Sequence, residues 1–300
     1  MMLSRAGMRG RAAVVLVMSV AVTSALAPST AVAKRGLGKH WGGSTSQDDP
    51  LVLTLRPGSR AIGDGVVFVD GKCVDGQSLA YYGRLTFPGP LASSAPDAEN
   101  QMKGGKLSRT GRFRATGHGL ADFGSALGAV VWKLDGRLAR GAGVGTLRAD
   151  FTITDEDGRL LTTCSTGAVA WTARSARGRV YAGATRADQP VVVEVERDGS
   201  RVSNLRFGWG APCDPGPGGW LLGDRLSGFP IASGRFDETW QMPIELDDGT
   251  RRTFDYDIHG QLGRTRGSGS VAVKVTDYAA TGEPAQTCDS GSQRWSALSG

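Results

Sequence analysis

Apolar and polar residues alternate along most of this chain with a spacing of two. Val130, Trp132 and Leu134 share one side of a pleat, as do Leu147, Ala149, Phe151 and Ile153, and then Val169, Trp171 and Ala173. Successive side chains of a strand point to opposite faces, so such runs predict strands that bury one face. Apolar spacing of helical period is not sustained anywhere beyond the N-terminal segment. Pro57-Gly58, Asp155-Glu156-Asp157-Gly158 and Asp198-Gly199 supply turns between the runs. The pattern predicts an all-β protein.

The pattern also occurs twice. Shifted by 124 positions, residues 130–173 lie on 254–297 without a gap, and 12 of the 44 pairs are identical. Gly136/Gly260, Gly143/Gly267, Gly145/Gly269, Cys164/Cys288, Gly167/Gly291 and Trp171/Trp295 are among them. At an offset of 140, residues 41–55 lie on 181–195, Asp48 on Asp188 and Cys73 on Cys213. The copies diverge after the first cysteine: 38 residues separate Cys73 from Gly111, but only 21 separate Cys213 from the matching Gly234. We expect two tandem antiparallel β domains, 41–174 and 180–298, each a sandwich or an up-and-down barrel of about seven or eight strands.

Four cysteines allow three pairings. A unit copied together with its own bridge selects Cys73–Cys164 and Cys213–Cys288. Loops of this length give each bridge about 4–5 kcal/mol by loop-closure entropy.

Composition and charge add a compartment. Arg5, Arg9 and Arg11 precede an apolar run, 12–27, and Ala31-Val32-Ala33 follows it. That order predicts a signal peptide over 1–33, with cleavage after Ala33 or, as the alternative, after Ala27, and a flexible lead-in over 34–40. The leader carries three arginines and no acid, so its removal takes the net charge from +6 to +3. A small charge of mixed sign, without a basic stripe, argues against nucleic acid. A secreted protein, with no membrane insertion after cleavage, suits the disulfides.

Candidate chemistry is sparse. The paired glycines at 143/145 and 267/269 resemble a phosphate loop, but no helix follows them, so a bulge or close strand approach is the expected reading. Asp155-Glu156-Asp157 and Asp247-Asp248 could hold calcium, yet neither recurs in the other copy, and a turn explains them. His40, His118 and His259 lack metal-ligand spacing and read as surface residues. Trp171 and Trp295 read as core anchors. No metal or other cofactor is implied. Tyr81, Tyr82 and Trp220 stand apart, because they fall in the divergent segments, where loops on a rigid scaffold carry binding.

Gly43-x-Thr45-Ser46-Gln47, Cys164-x-x-Gly167 and Trp171-x-Ala173, with their second-copy partners, resemble secreted all-β tandem-repeat proteins of high-GC Gram-positive bacteria. The resemblance covers nearly all of the mature chain. It implies an extracellular β-sandwich and brings no catalytic residue with it. The second copy has Arg186-Ala187 where the first has Ser46-Gln47. The function expected from all this is non-enzymatic extracellular binding or adhesion, directed at extracellular or cell-wall polysaccharide through Tyr81, Tyr82 and Trp220. A secreted hydrolase with an inter-domain carboxylate site and a purely structural extracellular protein are the alternatives.

Overall fold

Strands form where the alternation lies, and most of the long ones bury one face. The structure is a computed structural model that describes residues 39–87, 100–123, 126–215, 219–246 and 249–300, with the backbone alone for Asp122 and Trp220. The expected leader, most of the lead-in after it and Asp247-Asp248 lie outside the described residues.

The first half contains β1 (His40–Thr45), β2 (Pro50–Leu55), β3 (Ile62–Cys73), β4 (Ser78–Thr86) and β5 (Asn100–Gly104). It continues through β6 (Arg112–Asp122), β7 (Ala126–Ala139), β8 (Ala142–Asp155), β9 (Leu160–Ser165) and β10 (Val169–Arg174). The second half contains β11 (Val180–Thr185), β12 (Pro190–Val195), β13 (Arg201–Asp214), β14 (Gly219–Leu226) and β15 (Phe229–Pro230). It ends with β16 (Arg235–Glu245), β17 (Arg251–Leu262), β18 (Arg266–Tyr278), β19 (Pro284–Asp289) and β20 (Gln293–Ser299).

Neighbours along the first chain half pair in order from β1 to β9, and β10 then pairs with both β8 and β1. The sheet therefore returns on itself as a barrel. Long β8 and β3 make this possible, because each offers one edge to two partners. β8 takes β10 along 142–147 and β9 along 150–154, while β3 takes β2 along 62–67 and β9 at 72–73. Sharing edges in this way accounts for ten strands where about seven or eight were expected. The second sheet follows the same plan around β18, β20, β11, β12, β13 and β19.

Each barrel is filled, not hollow, along most of its length. Trp132, Phe151, Leu51, Leu53, Leu134 and Met102 are wholly buried in the first, and Trp209, Phe207, Val191 and Val193 in the second. Trp171 and Trp295 are buried, as expected of core anchors. The paired glycines let them lie close over the strands: a Cβ on Gly145 would strike the Asp135 carbonyl oxygen and the Trp171 ring, and one on Gly269 would strike the His259 carbonyl oxygen and Trp295. Close approach, not phosphate binding, explains their spacing. Asp155 likewise serves a turn, accepting from the Arg159 backbone N–H at 2.8 Å.

Cys73 bonds to Cys164 and Cys213 to Cys288, each pair standing directly opposite across β3–β9 or β13–β19.

The two barrels pack through outer faces into one compact unit. Val52 and Val66 meet Ala182 and Val192, with Ala184 beside them. Gly42 makes room, since a Cβ there would come within 2.8 Å of Val192. At the rim, Arg84 pairs with Asp188 at 2.8 Å and Arg225 with Asp48 at 3.3 Å. Asp48 aligns with Asp188, and the registers Val66↔Arg84 and Arg206↔Arg225 make the two arginines equivalent. Contacts that exchange aligned residues in this way describe a two-fold relation between the barrels.

Candidate functional site

The barrels differ at one seam. In the first, β5 lies between β4 and β6, laying Asn100 and Met102 into the interior. Asn100 Oδ1 accepts from Trp132 Nε1 at 2.8 Å. In the second, β14 and β16 are the two ends of the sheet path, with no ladder between them among the described residues. Among the described residues, the shorter segment after Cys213 places no strand there. Barrel two is therefore open along that side.

Beyond Phe236, which stays in the core, the inward residues of β16 are partly or fully exposed. On β16, alternation puts Phe236, Glu238, Trp240, Met242 and Ile244 on the inner side. Trp240 stacks on the buried Tyr256 ring at 5.6 Å between centroids and 22° between planes, yet it is 47% exposed. Across the gap, β14 contributes Asp224. Its Oδ2 accepts from Trp209 Nε1 at 2.6 Å and from the Tyr256 hydroxyl at 3.0 Å. Burial raises the Asp224 pKa, and these two donors pull against that rise. Burial, with the Asp224 charge adding to it, raises the Tyr256 pKa and keeps its hydroxyl a donor. The first barrel has Gly83 at the position of Asp224, where a Cβ would press on Trp132 and Asn100. One barrel closes its seam with a strand; the other puts a carboxylate there. An aromatic platform beside carboxylate acceptors can stack on an apolar ring face and hold the hydroxyls at its edge.

The residues named from sequence fare differently. Tyr81 and Tyr82 lie in regular strand β4, not on a loop. Leu79, Tyr81, Gly83 and Leu85 alternate inward, so Tyr81 is 8% exposed, with its ring edge-on to Phe151 at 5.2 Å. Burial removes Tyr81 from the set of free stacking platforms. Tyr82 is half-buried on the outward side, opposite Phe68, and Phe68 itself packs near Gly208 and Gly223 of the second barrel. Both tyrosines also border a depression of about 320 Å³ with Leu120, Phe123, Leu127 and Leu221. Trp220 begins β14 opposite Ala211, and its side chain lies outside what the structure describes.

The histidines separate as well. His118 is exposed, and His259 bridges Asp237 and Asp257, both at 2.9 Å. His40 departs from the surface expectation: it is 9% exposed, pairs its Nδ1 with Thr54 Oγ1 at 3.1 Å, and has its pKa lowered by burial. Asp224, Glu238 and Trp240 were not singled out from sequence. The available signal was a strand pattern, Phe236 to Ile244, with a carboxylate and an indole at inward positions of the shorter copy.

Fold and site define a class: a tandem β-barrel protein with one disulfide per barrel and one barrel open at its side. No helix of the described residues is long and apolar enough to cross a membrane. No protein-family model and no curated protein matches the chain. Among solved structures, the crystal structure of a Nitrosomonas europaea protein provisionally named AttH is similar at 10% identity, covering 88% of this chain and 92% of that one, with a TM-score of 0.21. A score this low carries no argument, and the fold rests on the pairings given above.

Proposed function

We propose that this chain is a secreted, non-enzymatic binding protein of duplicated β-barrel design, and that it takes extracellular or cell-wall polysaccharide against the open side of its second barrel. The observation that carries the reading is Trp240, an indole on the inner face of a strand that stays half exposed because the opening faces solvent. Sugar rings present flat C–H faces for stacking and hydroxyls for acceptors, and Glu238, on the same side of β16 as Trp240, supplies a carboxylate acceptor. Secretion is supported by the leader-like N-terminal segment together with the two disulfides.

The test is retention on cell-wall polysaccharide preparations and a panel of soluble oligosaccharides. Trp240→Ala is expected to weaken retention at least tenfold at an unchanged melting temperature, with Tyr82→Ala and Trp220→Ala measured alongside. Failure of the wild type to bind any of them, or full retention by Trp240→Ala, would sink the proposal.

Hydrolysis is the second reading, because Asp224 and Glu238 lie on the two strands that end the sheet path and burial raises the Asp224 pKa. Reducing ends released by the wild type and not by Asp224→Asn would put hydrolysis in place of binding. The inter-domain version has weaker support: Asp64 and Asp188 are both already engaged by Arg84.

A further inference from the structure

A two-fold relation between the barrels places one cleft on each side of their contact. The residues of the narrow cleft align with residues of the wide one, which extends further over 261–268, and their sizes differ: about 820 Å³ for the wide one and about 270 Å³ for the narrow one. The narrow cleft has Glu194, Asn204 and Arg206 on one wall and Arg174 on the other. Arg206 is nearly buried there, held by Asp48 at 3.3 Å and Glu194 at 4.0 Å, so its long side chain fills the space. In the wide cleft the aligned positions are Thr54, Asp64, Val66 and Leu298. Val66 in place of Arg206 removes both the chain that filled the space and the charge that Glu194 answers. The asymmetry is thus written in side chains and not in the backbone plan.

What remains in the wide cleft is a partly exposed apolar wall of Ala184 and Leu298 over the packed Val52, Val66 and Ala182, with polar groups at its edge. Asp64 and Arg84 neutralise one another at 3.1 Å, and Arg84 also holds Asp188. His40 is engaged by Thr54. Arg266 lines the same cleft, is exposed, and forms no ion pair among the described residues. The volume lies within the usual range for small-molecule sites. We infer that the inter-barrel cleft is a binding site for a small amphipathic anion, with its apolar body against Ala184 and Leu298 and its acidic head on Arg266. This goes beyond the polysaccharide reading and does not depend on it.

The experiment titrates the secreted protein with the probe 8-anilinonaphthalene-1-sulfonate, followed by fluorescence, and then displaces the probe with dodecanoate, dodecanol and dodecylammonium. One saturable site is expected, emptied by dodecanoate at concentrations at least tenfold below those of the neutral or cationic analogues. Val66→Arg, which installs the residue found at aligned position 206, is expected to weaken probe binding more than tenfold. Arg266→Gln, an exposed change that leaves the core alone, is expected to weaken it about tenfold and to abolish the preference for dodecanoate. Trp240→Ala should leave the affinity unchanged. The inference is overturned by a wild type without saturable binding, by affinity unaltered in both Val66→Arg and Arg266→Gln, or by binding lost in Leu120→Gln, which would place the probe in the Tyr81–Leu120 depression.

Discussion

Asp49 is a carboxyl group in an unfavourable place. It is 4% exposed beneath the barrel contact, its Oδ2 has no hydrogen-bond partner, and burial, reinforced by Asp70 and Asp48, pushes its pKa up to about 8. The second copy has Gln189, uncharged and equally buried, at the aligned position. Between the unfolded value near 4 and about 8, the native state keeps a proton that the unfolded chain releases. Stability attributable to this group is therefore greatest below pH 4 and falls as pH rises toward 8, by at most about 1.4 kcal/mol per pH unit. Asp49→Asn should flatten denaturant-derived stability between pH 5 and 8 and raise it most at pH 8. A wild type whose stability does not decline over that range would show that Asp49 reaches water in solution. Asp64, Asp70 and Asp224 are shifted in the same direction, so some slope should persist in the variant.

Among the elements, β5 and the place it lacks in the second barrel matter most. The 38-residue segment after Cys73 has enough chain to supply a strand, whereas the 21 residues after Cys213 are used by β14 and the two-residue β15. β16 is left with one paired edge, along β17, and with N–H and C=O groups directed at the opening. Amide exchange measured by mass spectrometry should therefore be at least tenfold faster across Arg235–Glu245 than across the doubly paired residues 115–119 of β6. Equal protection of the two would mean that the seam between β14 and β16 closes in solution, and the proposed sugar site would close with it.

For the molecule as a whole, the contact between the barrels rests on shape more than on charge. The Arg84–Asp188 and Arg225–Asp48 pairs are about half exposed, so each contributes no more than roughly 1 kcal/mol. The apolar patch is different, because Val192 is completely buried against the first barrel. Each barrel also has its own core and its own disulfide. Val192→Lys should cost about 2–4 kcal/mol, lower the melting temperature by roughly 5–10 °C, and split a single calorimetric transition into two. An unchanged single transition would show that Val192 contributes nothing to coupling the barrels. The same variant should widen both clefts and weaken probe binding in the inter-barrel site.

Alternation at Val130–Trp132–Leu134 and its aligned partners determined the strands and their buried faces, because period two is a local property of the backbone. The disulfide pairing was legible too, since a bridge copied with its unit can close only within that unit. The length difference after the first cysteines was visible as a number, but its consequence was not. Whether 17 more residues form a loop or a strand depends on the two edges waiting to be joined, and those edges exist only once β4 and β6 have been brought together. Tyr81 shows the same limit, since its place on a pleat was fixed by neighbours on either side and not by its aromatic character. Asp48 and Asp188 stood out in the sequence as aligned acids, while their partners Arg225 and Arg84 did not, being 177 and 104 positions away. The open seam, the unequal clefts and the reciprocal ion pairs were decided by tertiary structure, because each is a relation between surfaces that the chain itself keeps far apart.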